Sequence, residues 1–238
     1  MVPGDGVSTS RQLGKTRPTH LPASRARATV EALETRVILI RSGSTDWHEQ
    51  GKLVGQADPG LSERGRKHAE KAAAALLGVR VSELLCSPLQ RSVQTAQVVG
   101  ERCGLHTARD QRLSAMACGH WQGQTFEALS EEPLYQQFKL RPTDVRPPGG
   151  EGVEAARRRA VAAVDQALGD AASGDVLALV THSDIIRMLL GHYLGAPVNA
   201  YTRMQVNPGS LSIIAFGHGG AARVVASNWN ARLTELVS

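Results

Sequence analysis

The chain has 238 residues, 42% of them apolar, enough for one sizeable core, and no apolar run approaches the ~18 residues that would span a bilayer. The net charge is +5, but Arg11, Lys15, Arg17, Arg25, Arg27 and Arg36 against Asp5, Glu31 and Glu34 leave the first 36 residues with +3 of it. With aromatics at 4% and no basic stripe on any helix, neither nucleic acid nor a membrane is expected as a partner. The N-terminus lacks an apolar signal-peptide core, and Cys86, Cys103 and Cys118 have no metal-ligand spacing. A cytoplasmic protein with no metal and no cofactor is expected; a homo-oligomer is left open.

Residues 1–34 mix Gly, Pro, Ser, Thr and Arg without apolar periodicity and are expected to be a flexible extension. Residues 35–238 are expected to form one domain. It opens with Val37-Ile38-Leu39-Ile40, a continuous apolar run suited to a strand covered on both faces. After a loop from Arg41 to Gly60, Ser62 offers an N-cap, and Ala69, Ala72, Ala73, Leu76 and Leu77 repeat at helical spacing until Gly78. Val81–Cys86 reads as a strand, Ser87-Pro88 as the N-cap and first-turn proline of a helix reaching Gly104, and the stretch near Thr107 to Leu113 as a third strand. A short helix is expected over Thr125–Leu129 and a long one through Ala156, Ala160, Ala163, Val164, Ala167 and Leu168. Val176–Val180 is a second central strand, Asp184–Leu194 a helix, and Leu211–Phe216 with Ala222–Ala226 a late pair of strands. This alternation predicts an α/β fold, a three-layer α/β/α sandwich with a mainly parallel central sheet.

Ligands in such sheets sit beyond the carboxyl ends of the strands. Two strands end there on chemically active residues, the first on Arg41-Ser42-Gly43-Ser44-Thr45 and the later one on Thr181-His182-Ser183-Asp184. The first of these, continued through Asp46-Trp47, resembles the Arg-His-Gly-Glu-Thr opening of the histidine-phosphatase, phosphoglycerate-mutase-like superfamily. Leu61-Ser62-Glu63-Arg64-Gly65, Ser87-Pro88-Leu89-Gln90-Arg91-Ser92, Gly119-His120-Trp121-Gln122-Gly123, Pro148-Gly149-Gly150-Glu151 and Val180-Thr181-His182 follow in the family's order and spacing. The likeness runs from about residue 35 to the C-terminus.

The resemblance implies a phosphoglycerate-mutase-like fold and a site for a phosphate or small phosphorylated ligand. It implies Arg41 and Arg91 as phosphate-binding guanidiniums, Thr45 beside them, and His182 as the second histidine of the site. It also identifies two departures. Ser42 stands where the family's nucleophilic histidine is expected, and Ala115 where its acid/base glutamate is expected. An unassisted serine hydroxyl is a weak nucleophile, and losing an acid/base typically costs about 10²- to 10⁴-fold. His48 is a third departure, at the position of a phosphate-contacting asparagine. The short span from Trp121 to Pro147 favours a phosphatase-type ancestor over a mutase, with Tyr135, Asp144 and Arg146 in the segment that shapes substrate choice.

Outside the motifs, His106 and His120 read as surface residues and Arg157-Arg158-Arg159 as a solvated helix face. A zinc site from His48, His182 and Cys118 fits no known ligand pattern. Two functions stay open at this point: a phosphate-binding pseudophosphatase, or a diverged or engineered phosphomonoesterase or mutase-like enzyme. Because every family motif lies after Thr35, deleting residues 1–34 is expected to leave the thermal midpoint nearly unchanged; a large fall would show that the tail packs on the fold.

Overall fold

A computed structural model describes Met1 and residues 34–217, 222–231 and 233. All but the two ends of the expected extension, residues 1–34, therefore lies outside the described residues. Among the described residues the strands are β1 (Thr35–Arg41), β2 (Glu83–Cys86), β3 (Thr107–Arg109), β4 (Val176–Thr181), β5 (Leu211–Phe216) and β6 (Ala222–Trp229). They form one sheet in the order β3-β2-β4-β1-β5-β6. The first four in that order are mutually parallel, while β5 and β6 run antiparallel to their neighbours. The expected α/β sandwich is thus a mixed sheet with a parallel core.

Side-chain alternation explains why β1 reads as a continuous apolar run. Val37 and Leu39 pack on one face with Leu177, Leu179 and Ile214, against helices α6 (Val153–Asp170) and α7 (Ser183–Tyr193). Ile38 and Ile40 pack on the other with Ala178 and Val180, against α2 (Glu63–Ala75) and α3 (Gln90–Cys103). A strand covered on both faces needs an apolar residue at every position: Val37, Ile38, Leu39 and Ile40 are wholly buried, whereas Arg41 at the strand's end is only partly so.

Most helix ends follow their expected chemistry. The Ser62 hydroxyl accepts from the Gly65 N–H, and α3 stops at Gly104 in the left-handed region (φ 68°). Two expectations are corrected. Ser87 is not a helix cap: α3 begins at Gln90, and the Ser87 hydroxyl instead accepts from the Leu89 N–H and meets His182. The third strand ends at Arg109, because Asp110 caps a 3₁₀ turn over Gln111–Leu113. The short helix forms as α4 (Phe126–Ser130), capped by Thr125, and is followed by α5 (Pro133–Leu140), absent from the sequence reading. Asp46–Glu49 is a single turn, α1.

The loop after β1 is locked to α2 by backbone contact. The Ser62 N–H donates to the Ser44 carbonyl (3.1 Å). A Cβ on Gly65 would strike that same carbonyl, and one on Gly43 would strike the carbonyl of Gly65. Neither backbone has room to yield, so Gly65→Ala is expected to lose roughly 1–3 kcal/mol of stability, as overpacking does. Urea unfolding measures this directly, and a change within experimental error would show that the loop tolerates displacement.

Candidate functional site

Parallel pairing of β1 with β4 puts Arg41 in register with Thr181, and the Ser42 N–H donates to the Thr181 carbonyl (2.9 Å). The two chemically active loops therefore leave the sheet side by side. Beyond them lies a cavity of about 540 Å³ lined by Arg41, Ser42, His48, Arg91, Ala115 and His182 from the sequence-predicted set. This size lies within the usual range of small-molecule sites.

Arg91 is 2% exposed; its guanidinium donates from Nη1 to the Ala57 carbonyl (2.8 Å) and from Nη2 to the Gly55 carbonyl (2.7 Å). Those bonds fix the fork's orientation at the cavity wall. Arg41 is anchored similarly, through Nη1 to the Val206 carbonyl (2.5 Å). Burial lowers both pKa values to about 10, with Arg187 and Arg91 adding to the effect on Arg41, so both remain cationic at neutral pH.

The imidazole of His48 has its tautomer set by the backbone. The Thr45 N–H donates to Nδ1 (3.1 Å), and the Thr45 hydroxyl lies 2.9 Å from the same nitrogen. A backbone N–H can only donate, so Nδ1 is an acceptor and the neutral ring carries its proton on Nε2. Burial first, then Arg41 and Arg91, lowers the His48 pKa to about 4. His48 is thus a neutral N–H donor at physiological pH. Thr45 is wholly buried, does not line the cavity and holds the His48 imidazole through its N–H and hydroxyl.

His182 lies at the end of β4, with Nε2 2.8 Å from the Ser87 hydroxyl and 3.4 Å from that of Ser92. Burial, followed by Arg91 and Arg41, holds its pKa well below the ordinary value. The Ser42 hydroxyl has no hydrogen-bond partner among the described residues, although its N–H is bonded. The loop carrying Ala115 is pinned from behind. Arg159 pairs bidentately with Glu151 (2.8 Å for both bonds) and donates to the carbonyls of Arg112, Ser114 and Ala115. This corrects the expectation of a solvated Arg157-Arg158-Arg159 face: Arg157 also pairs with Glu154 and meets His192, and only Arg158 is exposed.

Sequence reasoning named Asp184 at the sheet edge without giving it a role and missed Arg187; both line the cavity one helical turn apart on α7. Their i, i+3 spacing just after His182 was the available signal. Asp184 accepts from the Met116 N–H (2.6 Å), which puts its carboxylate beside Ala115. It is the only carboxylate among the lining residues, against Arg41, Arg91, Arg187, Lys52 and Lys139. Of the segment expected to shape substrate choice, Tyr135 lines the cavity, whereas exposed Asp144 and Arg146 do not. Cys118 also lines it, with burial raising its thiol to about 12, but no three His, Cys, Asp or Glu side chains cluster as metal ligands among the described residues. His106 and His120 are exposed, and among the described residues no helix is long and apolar enough to cross a membrane.

Such a site defines an α/β protein with a cavity rich in cationic side chains at the carboxyl edge of its sheet. The profile of the histidine phosphatase superfamily (branch 1) matches residues 37–230, and the chain belongs to that family. Bifunctional protein Rv2228c of Mycobacterium tuberculosis is 33% identical over 87% of this chain, which spans 57% of that relative's length. The "Probable phosphoglycerate mutase GpmB" of Yersinia pestis is 30% identical over 76% of this chain and 85% of its own. The structure of the mycobacterial glucosyl-3-phosphoglycerate phosphatase Rv2419c with VO3 superposes with a TM-score of 0.75 at 29% identity, covering 82% of this chain and 98% of the other.

The depressed His48 pKa predicts the sign of a pH effect. Between its unfolded value near 6.5 and about 4, the unfolded chain binds a proton that the native site refuses. Stability is therefore full above pH 6.5 and declines as pH falls towards 4. Urea midpoints across this window are expected to fall less steeply for His48→Asn than for the unaltered protein; parallel curves would remove His48 from the linkage.

Proposed function

We propose that this chain binds the phosphoryl group of a small phosphate ester without running phosphohistidine chemistry, as a pseudophosphatase of its family. The observation that carries the reading is the absence of a base against the Ser42 hydroxyl among the described residues. His48 presents an N–H rather than a lone pair, and His182 has its Nε2 occupied by serine hydroxyls. A serine without a base is a poor nucleophile. Ala115, in the position that the family resemblance assigns to the acid/base glutamate, has no titratable group.

Binding has ample support from charge. Two anchored guanidiniums and a neutral imidazole N–H surround one volume, and buried cations are costly unless paired. A phosphate dianion supplies that pairing. Arg41 and Arg91 offer planar forks to its oxygens, and His48 adds one neutral donor, the part played by asparagine in the family pattern.

One observation favours a second reading. The Asp184 carboxylate, beside Ala115, lines the same cavity, which suits a diverged phosphomonoesterase using it in place of the glutamate. Hydrolysis of an aryl phosphate separates the two. Little or no turnover is expected from the unaltered protein, whereas robust turnover abolished by Asp184→Asn would establish the second reading.

Binding is tested by thermal midpoint. Phosphate, vanadate or tungstate is expected to raise it, since a ligand bound only by the native state stabilises that state. Arg91→Ala should remove the response; an unchanged response would exclude Arg91 from the site. The lost chemistry is tested by restoring it. Ser42→His with Ala115→Glu is expected to hydrolyse an aryl phosphate at least about 10²-fold faster than either single variant, because nucleophile and acid/base act as one unit. A phosphohistidine trapped at residue 42 would identify the route, and equal inactivity of single and double variants would refute it.

A further inference from the structure

The chain has only three Trp, three Tyr and three Phe. Trp121, Phe126, Tyr135, Phe138 and Tyr201 all line the one cavity that holds Arg41 and Arg91. Three of them form a connected cluster: Trp121 meets Tyr135 edge-on with centroids 5.2 Å apart and Phe138 at 5.3 Å. The cluster is held in place from outside, where the Trp121 indole N–H donates to Glu132 (3.0 Å). Phe126 is 48% exposed, leaving a large apolar ring uncovered beside it. Trp121, Phe138 and Tyr201 also belong to the buried core with Tyr135 packed on it, so in a chain this poor in aromatics one edge of the core forms the wall of the cavity.

Arg187 supplies an independent observation. Its Nε is buried and has no hydrogen-bond partner among the described residues, while the side chain lines the same cavity. Buried donors are nearly always satisfied, and a guanidinium N–H is among the most expensive to leave unpaired. Its positive charge acts on both Arg41 and Tyr201, which line the same cavity. Asp184 sits one turn earlier on the same helix, but its carboxylate is bonded to the Met116 N–H.

We infer that the ligand is a phosphate monoester whose alcohol portion carries an aromatic ring and a second anionic group, the ring lying against Trp121, Tyr135 and Phe138 and the anion pairing with Arg187. The inference rests on the phosphate-binding reading above. The phosphoryl group occupies the Arg41–Arg91 end, the ring covers the apolar wall by stacking or edge contact, and a carboxylate or second phosphate accepts from the Nε of Arg187.

Four probes separate the parts: inorganic phosphate, phenyl phosphate, phosphoglycolate and 4-carboxyphenyl phosphate, each titrated calorimetrically into the full chain. Phenyl phosphate supplies the ring alone, phosphoglycolate the second anion alone, and 4-carboxyphenyl phosphate both. The doubly equipped probe is expected to bind about tenfold more tightly than either single one, the scale of one added charged hydrogen bond or ring contact. In Arg187→Gln the preference for 4-carboxyphenyl over phenyl phosphate should collapse towards unity, and in Tyr135→Ala the preference for phenyl over inorganic phosphate should shrink. Ligand-free thermal midpoints confirm that both variants fold. Equal affinities for all four probes in the unaltered protein would overturn this inference while leaving phosphate binding intact. Failure of all four to bind would overturn the phosphate reading itself.

Discussion

The pairing of β1 with β4 is the constraint on which the site depends. Because Arg41 and Thr181 are register partners, the residues that follow them leave the sheet together. The Ser42 N–H bonds across that gap to the Thr181 carbonyl, so Ser42 and His182 share one wall although 140 positions separate them in the chain. A one-residue slip of β1 against β4 would turn the side chains of β1, and the loop it feeds, to the opposite face. Core packing thus determines which side chains meet.

Polar anchoring then does locally what register does globally. Arg91 is held by the carbonyls of Gly55 and Ala57, Arg41 by that of Val206, and the Ala115 loop by Arg159 with Glu151. Each buried cation spends part of its hydrogen-bonding capacity on backbone from a distant segment. Groups anchored in this way have little freedom left to lose, and so the anion binding proposed for the site would carry a low ordering cost. The imidazole of His48 follows the same logic, its tautomer set by the Thr45 N–H.

Charge gives the cavity its character. Five cationic side chains line it against the single carboxylate of Asp184, and both imidazoles are kept neutral by burial and by the arginines beside them. Such a cavity favours anions over neutral ligands before any specific contact is considered. Its chemistry is more restricted than its electrostatics: donors are plentiful, whereas a base beside Ser42 is lacking among the described residues.

The alternation of apolar strands with helices determined the α/β class, and the ordered motifs around Arg41, Arg91 and His182 determined which loops would converge. Those properties are local, set by side-chain periodicity and by short segments whose residues act together. What only the tertiary structure decided involves partners distant in the chain. Thr45 holds His48, and Ser87 is a partner of His182 and not a helix cap, because hydroxyls bond to whatever folding brings within reach. Arg159 left the solvent for Glu151 and three carbonyls that no helical periodicity could announce. Asp184 and Arg187 had a legible spacing but no legible destination, since a helix face acquires meaning only from what it packs against. The aromatic wall arose the same way: residues 121, 126, 135, 138 and 201 share a cavity because the helices and turns bearing them fold over one edge of the sheet.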